Sequence, residues 1–170
     1  MSVSSASVAV GTQAAERASF ARFFAETQQD VYRAVLVVTR DQVAAEDATA
    51  TAFLRAWERW PSVSVHSSPS GWVARVAINE AISRWRRAQR LIGGLIRDQP
   101  TEQQLPDPDL RAVIDGLPLR QRQAIALRIV LGLDERETAK ALGIAPGTVG
   151  VHLSRALAAC RAQLDESEEK

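Results

Sequence analysis

Cysteine is nearly absent. Cys160 is the single one in 170 residues, which excludes an intrachain disulfide and a thiolate metal cluster and fits a reducing compartment. Histidine is almost as scarce: His66 and His152 have no Cys, Asp or Ser partner at catalytic or metal-ligand spacing. The Gly93-Gly94 pair lacks the Lys-Ser/Thr of a phosphate-binding loop. An enzyme, a bound metal and a cofactor are therefore not expected. No apolar run approaches the roughly 18 residues of a membrane span, so no membrane contact is expected either. Residues Met1 to Ala14 lack the basic start of a signal peptide and read as a loose tail over 1–14. Together these absences point to a cytoplasmic chain.

Charge of either sign is scarce only in the sum. The net value is +1, but the distribution is uneven. Between Ala81 and Arg97 stand Arg84, Arg86, Arg87, Arg90 and Arg97 with no acid. A second basic segment runs from Arg111 to Arg161, and acids gather at Asp165, Glu166, Glu168 and Glu169. Two basic segments diluted by acidic flanks suit a polyanionic partner better than the net charge suggests.

Apolar residues recur at three- and four-residue steps, so the fold class expected is all-α. A first helix is predicted over 15–39, with Phe20, Phe23, Phe24, Val31, Val35 and Val38 inward and a break near Gln28. Asp41 caps a second, which buries Ala45, Ala48, Ala52, Phe53 and Trp57 and stops at Pro61. A polar loop follows over 62–68. Ser68-Pro69 then opens a third helix that runs to about Arg90. Residues 91–107 carry Gly, Pro, Gln and charge and read as a linker. Asp107-Pro108 repeats the cap-then-proline signal, and helices are predicted over 108–115, 118–131, 135–142 and 146–164. Gly116, Gly132 and Gly143 each follow a helix end, where a positive φ suits glycine. The result is two small helical domains, 15–90 and 108–165, with an acidic tail over 166–170.

The segment from Asp134 to Leu164 carries the most information. Asp134 and Glu137 make a capping box. Gly143 turns the chain, and Pro146 launches a second helix after three residues. Val149, Leu153, Leu157, Cys160 and Leu164 form an apolar stripe on it, opposite Thr148, His152, Arg155 and Arg161. Such a helix-turn-helix fits a major groove. In the first domain, Arg75, Asn79, Ser83, Arg86 or Arg87, and Arg90 share one face of the third helix. Arginines there suit phosphates, and Asn79 and Ser83 suit base edges. Trp57, Trp72 and Trp85 read as core, with base stacking by Trp72 and Trp85 the alternative.

These motifs carry a resemblance. Leu117-Pro118, the Arg- and Gln-rich helix after it and the run GTVGVHLSRALAACRAQL resemble region 4 of bacterial sigma factors. Ala45-Glu46-Asp47, Phe53-Leu54-Arg55-Ala56-Trp57 and Trp72 through Arg87 resemble region 2 of the extracytoplasmic-function type. The resemblance spans about 20–90 and 108–164. GTVGVHL alone is also similar to LuxR-type regulators.

The sigma resemblance implies a promoter-specificity subunit that binds core RNA polymerase through its β′ clamp helices and β flap and is monomeric when free. An anti-sigma factor is an implied partner. It implies minus-ten recognition of melted promoter DNA by Arg75, Asn79, Ser83, Arg86, Arg87 and Arg90 and by the loop residues Val63, Ser64, Val65, His66 and Ser67. It implies minus-thirty-five recognition by Pro146, Thr148, Gly150, Val151, His152 and Arg155. It places polymerase contacts at Asp47, Ala50, Thr51, Leu54 and Arg55.

Four positions depart from the family pattern. Ala50 and Thr51 replace a Gln followed by Asp or Glu that faces the clamp. Gly150 replaces a basic residue, and Ala145 replaces a Ser or Thr cap. They keep a second reading open: a sigma-like or LuxR-like stand-alone DNA-binding regulator with weak polymerase binding. The linker of seventeen residues spans at most about 56–60 Å, the length of roughly 16–17 base pairs, which suits a bipartite promoter.

Overall fold

The computed structural model describes residues 3–91 and 108–168. All the elements among them are helical. The first unit comprises α1 (Val3–Thr39), α2 (Gln42–Glu58), the short α3 (Trp60–Val63) and α4 (Pro69–Leu91). The second comprises α5 (Pro108–Gly116), α6 (Leu119–Ile125) running into a π-helical segment (Ala126–Val130), α7 (Glu135–Leu142) and α8 (Pro146–Glu168). The linker expected over 91–107 lies outside the described residues apart from Leu91, which ends α4.

In the first unit α1, α2 and α4 pack on one another. Val31, Ala34, Val35 and Val38 of α1 meet Ala45, Ala48, Ala52, Phe53 and Ala56 of α2 and Val73, Ala74, Ala77 and Ile78 of α4, all buried. The many alanines let the helices approach closely. α1 is continuous through Gln28, and it begins at Val3 rather than after a tail over 1–14. No proline interrupts that stretch and alanine is the best helix former, so the packed part of α1 propagates backward.

Asp41 caps α2 by accepting the Ala44 N–H at 3.0 Å, a contact typically worth about 1 kcal/mol. The chain reaches this cap through Arg40, a non-glycine residue at φ 59°. Ser68 caps α4 by accepting the Gly71 N–H at 3.3 Å.

Trp60, and not the expected Trp57, supplies the buried ring where α2 passes into α3. Trp60 is buried at 4 % exposure and packs on Phe20 and Phe23, while its indole N–H donates to Ser19 Oγ at 2.7 Å. Trp57 sits at the rim at 36 % exposure, against Phe20, and Trp85 is 48 % exposed. The cause is the break at Arg59: Pro61 does not end the helical path but opens α3, whose new phase turns Trp60 and Val63 inward.

In the second unit α8 packs on α5, α6 and α7. The capping box is complete: Asp134 Oδ1 accepts the Glu137 N–H, and Glu137 Oε2 accepts the Asp134 N–H. Gly132 and Gly143 hold φ of 64° and 65°, where a side chain would be strained. Gly116 does not; it is the last residue of α5. The helix expected over 118–131 changes register within its length. The Leu131 N–H reaches back five residues to the Ala126 carbonyl at 3.1 Å, which is π geometry. Leu127 stays fully buried while Ile129 is turned out to 59 % exposure.

The two units share one continuous core. Ile114, Leu117, Ile125, Ala126, Leu127 and Leu133 of the second join the cluster built on α1, α2 and α4. α1 packs on α6 and the π segment, and α4 packs on α7.

Candidate nucleic-acid interface

Two surfaces present basic and short polar side chains. On α4, Arg75, Asn79, Ser83, Arg86, Arg87 and Arg90 are all exposed, because the helix buries its other face through Val73, Ala74, Ala77, Ile78 and Ala81. Ser83, Trp85, Arg86, Arg87 and Arg90 line an open depression in the surface. Trp85 therefore stands beside the arginines instead of in the core, and its exposed ring supplies a stacking face among cations. Arg84 points the opposite way. It pairs with Glu80 at 3.0 Å and Asp47 at 3.2 Å and donates to Thr51 Oγ1 at 3.2 Å. Of the basic residues early in the arginine-rich segment, Arg84 is thus tied down while its neighbours face outward.

The loop before α4 is only partly the expected surface. Ser64, Val65 and Ser67 are exposed, with Val65 at 82 %, and His66 is half-buried. The His66 Nδ1 lies 3.2 Å from both the Ser68 N–H nitrogen and the Ser68 carbonyl, so its ring is held by the turn. Val63 is a correction: it closes α3 and is 3 % exposed in the core, so its side chain supports the loop from below.

On α8, Pro146, Thr148, Val151 and Arg155 are exposed and His152 is half-buried. Val149 and Ala156 are buried beneath them, with Leu153, Leu157 and Cys160 half-buried along the same stripe. The Leu164 side chain lies outside the described residues. Burial raises the Cys160 thiol above its ordinary range, which keeps it protonated and apolar in character. Gly150 is open: a methyl group built there meets nothing within 4 Å. No neighbouring helix requires a glycine at that position.

A third surface lies on α2. Val43 at 68 %, Leu54 at 58 % and Trp57 at 36 % are exposed large apolar residues, and with exposed Asp47 and Ala50 they fall on one side of the helix. The expected polymerase contacts divide into two groups here. Ala50 and Leu54 face outward. Asp47, Thr51 and Arg55 are joined to α4, the last through Arg55 to Glu80 at 2.9 Å. Glu80 receives both arginines, and the hydrogen bond from Arg84 is the main reason its carboxyl titrates below the ordinary range. Sequence reasoning missed this ladder, although the spacing Glu80–Arg84 is an ordinary i,i+4 pair.

Two helical units, one a helix-turn-helix and the other an arginine-faced three-helix packing, define a DNA-binding transcription protein. The comparisons specify which kind. Residues 23–91 match the family described as Sigma-70 region 2, and residues 108–160 match Sigma-70, region 4. The chain is 31% identical over 159 residues to the RNA polymerase sigma-E factor of Streptomyces avermitilis, covering 85% of both. It is 30% identical over 168 residues to the ECF RNA polymerase sigma factor SigL of Mycobacterium tuberculosis, covering 92% of this chain and 94% of that one. The fold is similar to the sigma factor RpoE solved in complex with the anti-sigma factor NepR from Bartonella quintana, with a TM-score of 0.77 at 21% identity over 86% of this chain and 97% of that one.

The chain belongs to the extracytoplasmic-function sigma factors, and its function is that of an RNA polymerase sigma factor in transcription initiation. The match to region 2 excludes the LuxR-type alternative, which shares only the helix-turn-helix. The family is not known to be enzymatic. Among the described residues, no helix is long and apolar enough to cross a membrane.

Proposed function

We propose that the exposed face of α4 reads the melted minus-ten strand while the start of α8 reads the minus-thirty-five duplex. The observation that carries this division is chemical. α4 places Asn79 and Ser83 between Arg75 on one side and Arg86, Arg87 and Arg90 on the other, all exposed. Guanidinium groups hold phosphates, and an amide offers a paired donor and acceptor to a base edge. Trp85 adds a ring on which an unstacked base rests. On α8, Thr148, Val151 and Arg155 suit a groove: Val151 for a thymine methyl, Arg155 for a guanine edge or a phosphate. His152 and the opening around Gly150 complete that surface, and Pro146 sets the angle at which it enters.

The α2 stripe of Val43, Ala50, Leu54 and Trp57 is the face for core polymerase. It is apolar where the family pattern is polar, so docking there rests on burial more than on hydrogen bonds. The β′ clamp helices are the partner of this stripe, and the β flap is the partner of the second unit. The protein works in the cytoplasm, is monomeric when free, has no catalytic role and is restrained by an anti-sigma factor.

The test is fluorescence anisotropy of labelled single-stranded oligonucleotides at several salt concentrations. Asn79→Ala is expected to reduce discrimination among minus-ten sequences by about 1–3 kcal/mol, the size of one good base contact, and to leave the salt dependence intact. Arg86→Ala is expected to weaken all sequences alike and to flatten the salt slope by roughly 0.7. Equal weakening of every oligonucleotide by Asn79→Ala refutes the assignment of this face.

A further inference from the structure

Glu80 and Arg84 follow directly after Asn79 and Ser83, the two short polar groups of the reading face. Neither shares that face, and both are half-buried. Glu80 accepts from Arg84 Nε of its own helix at 3.0 Å and from Arg55 Nη2 of α2 at 2.9 Å. Arg84 turns its other two nitrogens to α2. It donates through Nη1 to Asp47 Oδ2 and through Nη2 to Thr51 Oγ1, both at 3.2 Å. Asp47, Thr51 and Arg55 succeed one another at four-residue steps along one edge of α2, so the ladder runs up the groove between the two helices. It has the outward stripe of α2 on one side and the reading face of α4 on the other.

Resting on the reading of α4 given above, we propose that Glu80 and Arg84 are positioning residues for minus-ten recognition: by tying α4 to α2 they fix the rotation of α4 about its own axis, and with it the direction in which Asn79 and Ser83 point.

The core beneath fixes that rotation weakly. α4 buries Ala74, Ala77 and Ala81, and α2 buries Ala45, Ala48, Ala52 and Ala56. Methyl groups let helices approach but raise only low ridges to interlock. Side chains end about 5–6 Å from a helix axis, so a turn of about 20° carries the Asn79 amide by about 2 Å. A hydrogen bond made at about 2.9 Å does not survive that displacement. The Arg84 fork resists the turn, because its three nitrogens meet Glu80, Asp47 and Thr51 at once and the guanidinium is rigid and planar. The ladder also balances charge. Asp47 and Glu80 are acids beside a surface for phosphates, and Arg55 and Arg84 offset them one for one.

The test is fluorescence anisotropy of the full chain with single-stranded minus-ten oligonucleotides, matched or mismatched at one base, well below the unfolding temperature. Glu80→Ala removes both acceptor oxygens and leaves a strong helix former in place. The ratio of matched to mismatched affinity is expected to fall about tenfold, the size of one base contact. Affinity for the mismatched strand is expected to hold or rise, since an acid has left a surface that meets phosphates. Arg84→Lys keeps the net charge but offers one nitrogen in place of a fork. It is expected to lower the ratio at least threefold, which charge does not explain. Asp41→Ala is the stability control: it removes the cap of α2, spares the ladder and is expected to leave the ratio unchanged. In an Asn79→Ala background, Glu80→Ala is expected to lower the ratio twofold or less, because the main group it positions is gone. Full additivity of the two losses overturns positioning. An unchanged ratio in Glu80→Ala, where Asn79→Ala lowers it, overturns positioning and leaves the reading of α4 standing. A ratio that Asn79→Ala also leaves unchanged overturns both. Equal weakening of matched and mismatched strands by Glu80→Ala, in step with lost helical circular dichroism, means that the ladder only holds the fold, and overturns positioning as well.

Discussion

Replacing Gly150 by alanine separates two explanations of that residue. Gly150 is the fifth residue of α8, past the first turn, and a methyl group there meets no atom within 4 Å. Nothing in the fold opposes the substitution, so only the backbone term remains. Glycine in a helix interior is less favourable than alanine by about 0.8–1.0 kcal/mol. For a protein of this size, that gain corresponds to a rise in Tm of roughly 2–4 °C. Differential scanning calorimetry of the full chain reads it. A lower Tm refutes the claim that the position is open. Duplex binding supplies the second measurement. If glycine is there to let the DNA backbone approach, Gly150→Ala binds a minus-thirty-five duplex more weakly although the protein is more stable. If glycine only marks a lost contact, affinity is unchanged. Gly150→Arg then strengthens binding and steepens the salt slope by about 0.9, as for one added phosphate contact.

Other expectations concern single contacts. Arg155→Ala is expected to weaken duplex binding more than Arg161→Ala, because Arg155 lies nearer the N-terminus of α8, the end proposed to enter the groove; equal losses in a gel-shift titration would mean that the helix lies along the backbone. Ala50→Gln combined with Thr51→Glu is expected to tighten core polymerase binding in a pull-down titration; unchanged affinity would show that the apolar α2 stripe suffices. Glu80→Gln is expected to cost about 1 kcal/mol near neutral pH, since the two arginine partners are substantially exposed and screened. The sign follows from the lowered carboxyl: the stabilisation is present above the unfolded value of about 4.3 and is lost as pH falls through the lower folded one. Urea titrations at pH 7 and in acid should therefore differ by less in acid; a pH-independent difference refutes the ion-pair origin.

What the sequence made legible was local. Asp41, Ser68, and Asp134 with Glu137 act within three residues of themselves, and each cap forms as the residue pattern implies. The two basic faces were legible for the same reason, because helical periodicity alone decides which side chains share a side. What depends on distant contacts was not legible. Arg40 and Arg122 each donate across to the other unit, to partners 75 and 84 residues away, and in the sequence they are two of many. Trp57 was expected inward, and a break of one residue at Arg59 turns Trp60 inward in its place. Val63 follows from the same break. The Glu80 ladder links α2 to α4 through Arg55 and Arg84, and charge counts cannot distinguish a tied arginine from a free one.

The π-helical segment gives this chain a spare residue. Leu127 and Leu133 are both buried, and the backbone between them holds one residue more than a regular α-helical path requires, with Ile129 turned outward as the excess. Chain length is therefore negotiable at this point alone along the α6 path. Removal of Ile129 is expected to convert the segment to ordinary α-helix and to leave Leu127 and Leu133 at their stations, whereas the same deletion one turn earlier, among the buried Gln123, Ala124 and Ile125, is expected to rotate the core face away from α1. A relative that is one residue shorter between its region 4 signature and its capping box is thus expected to have lost that residue here, and to keep the same recognition helix in the same place.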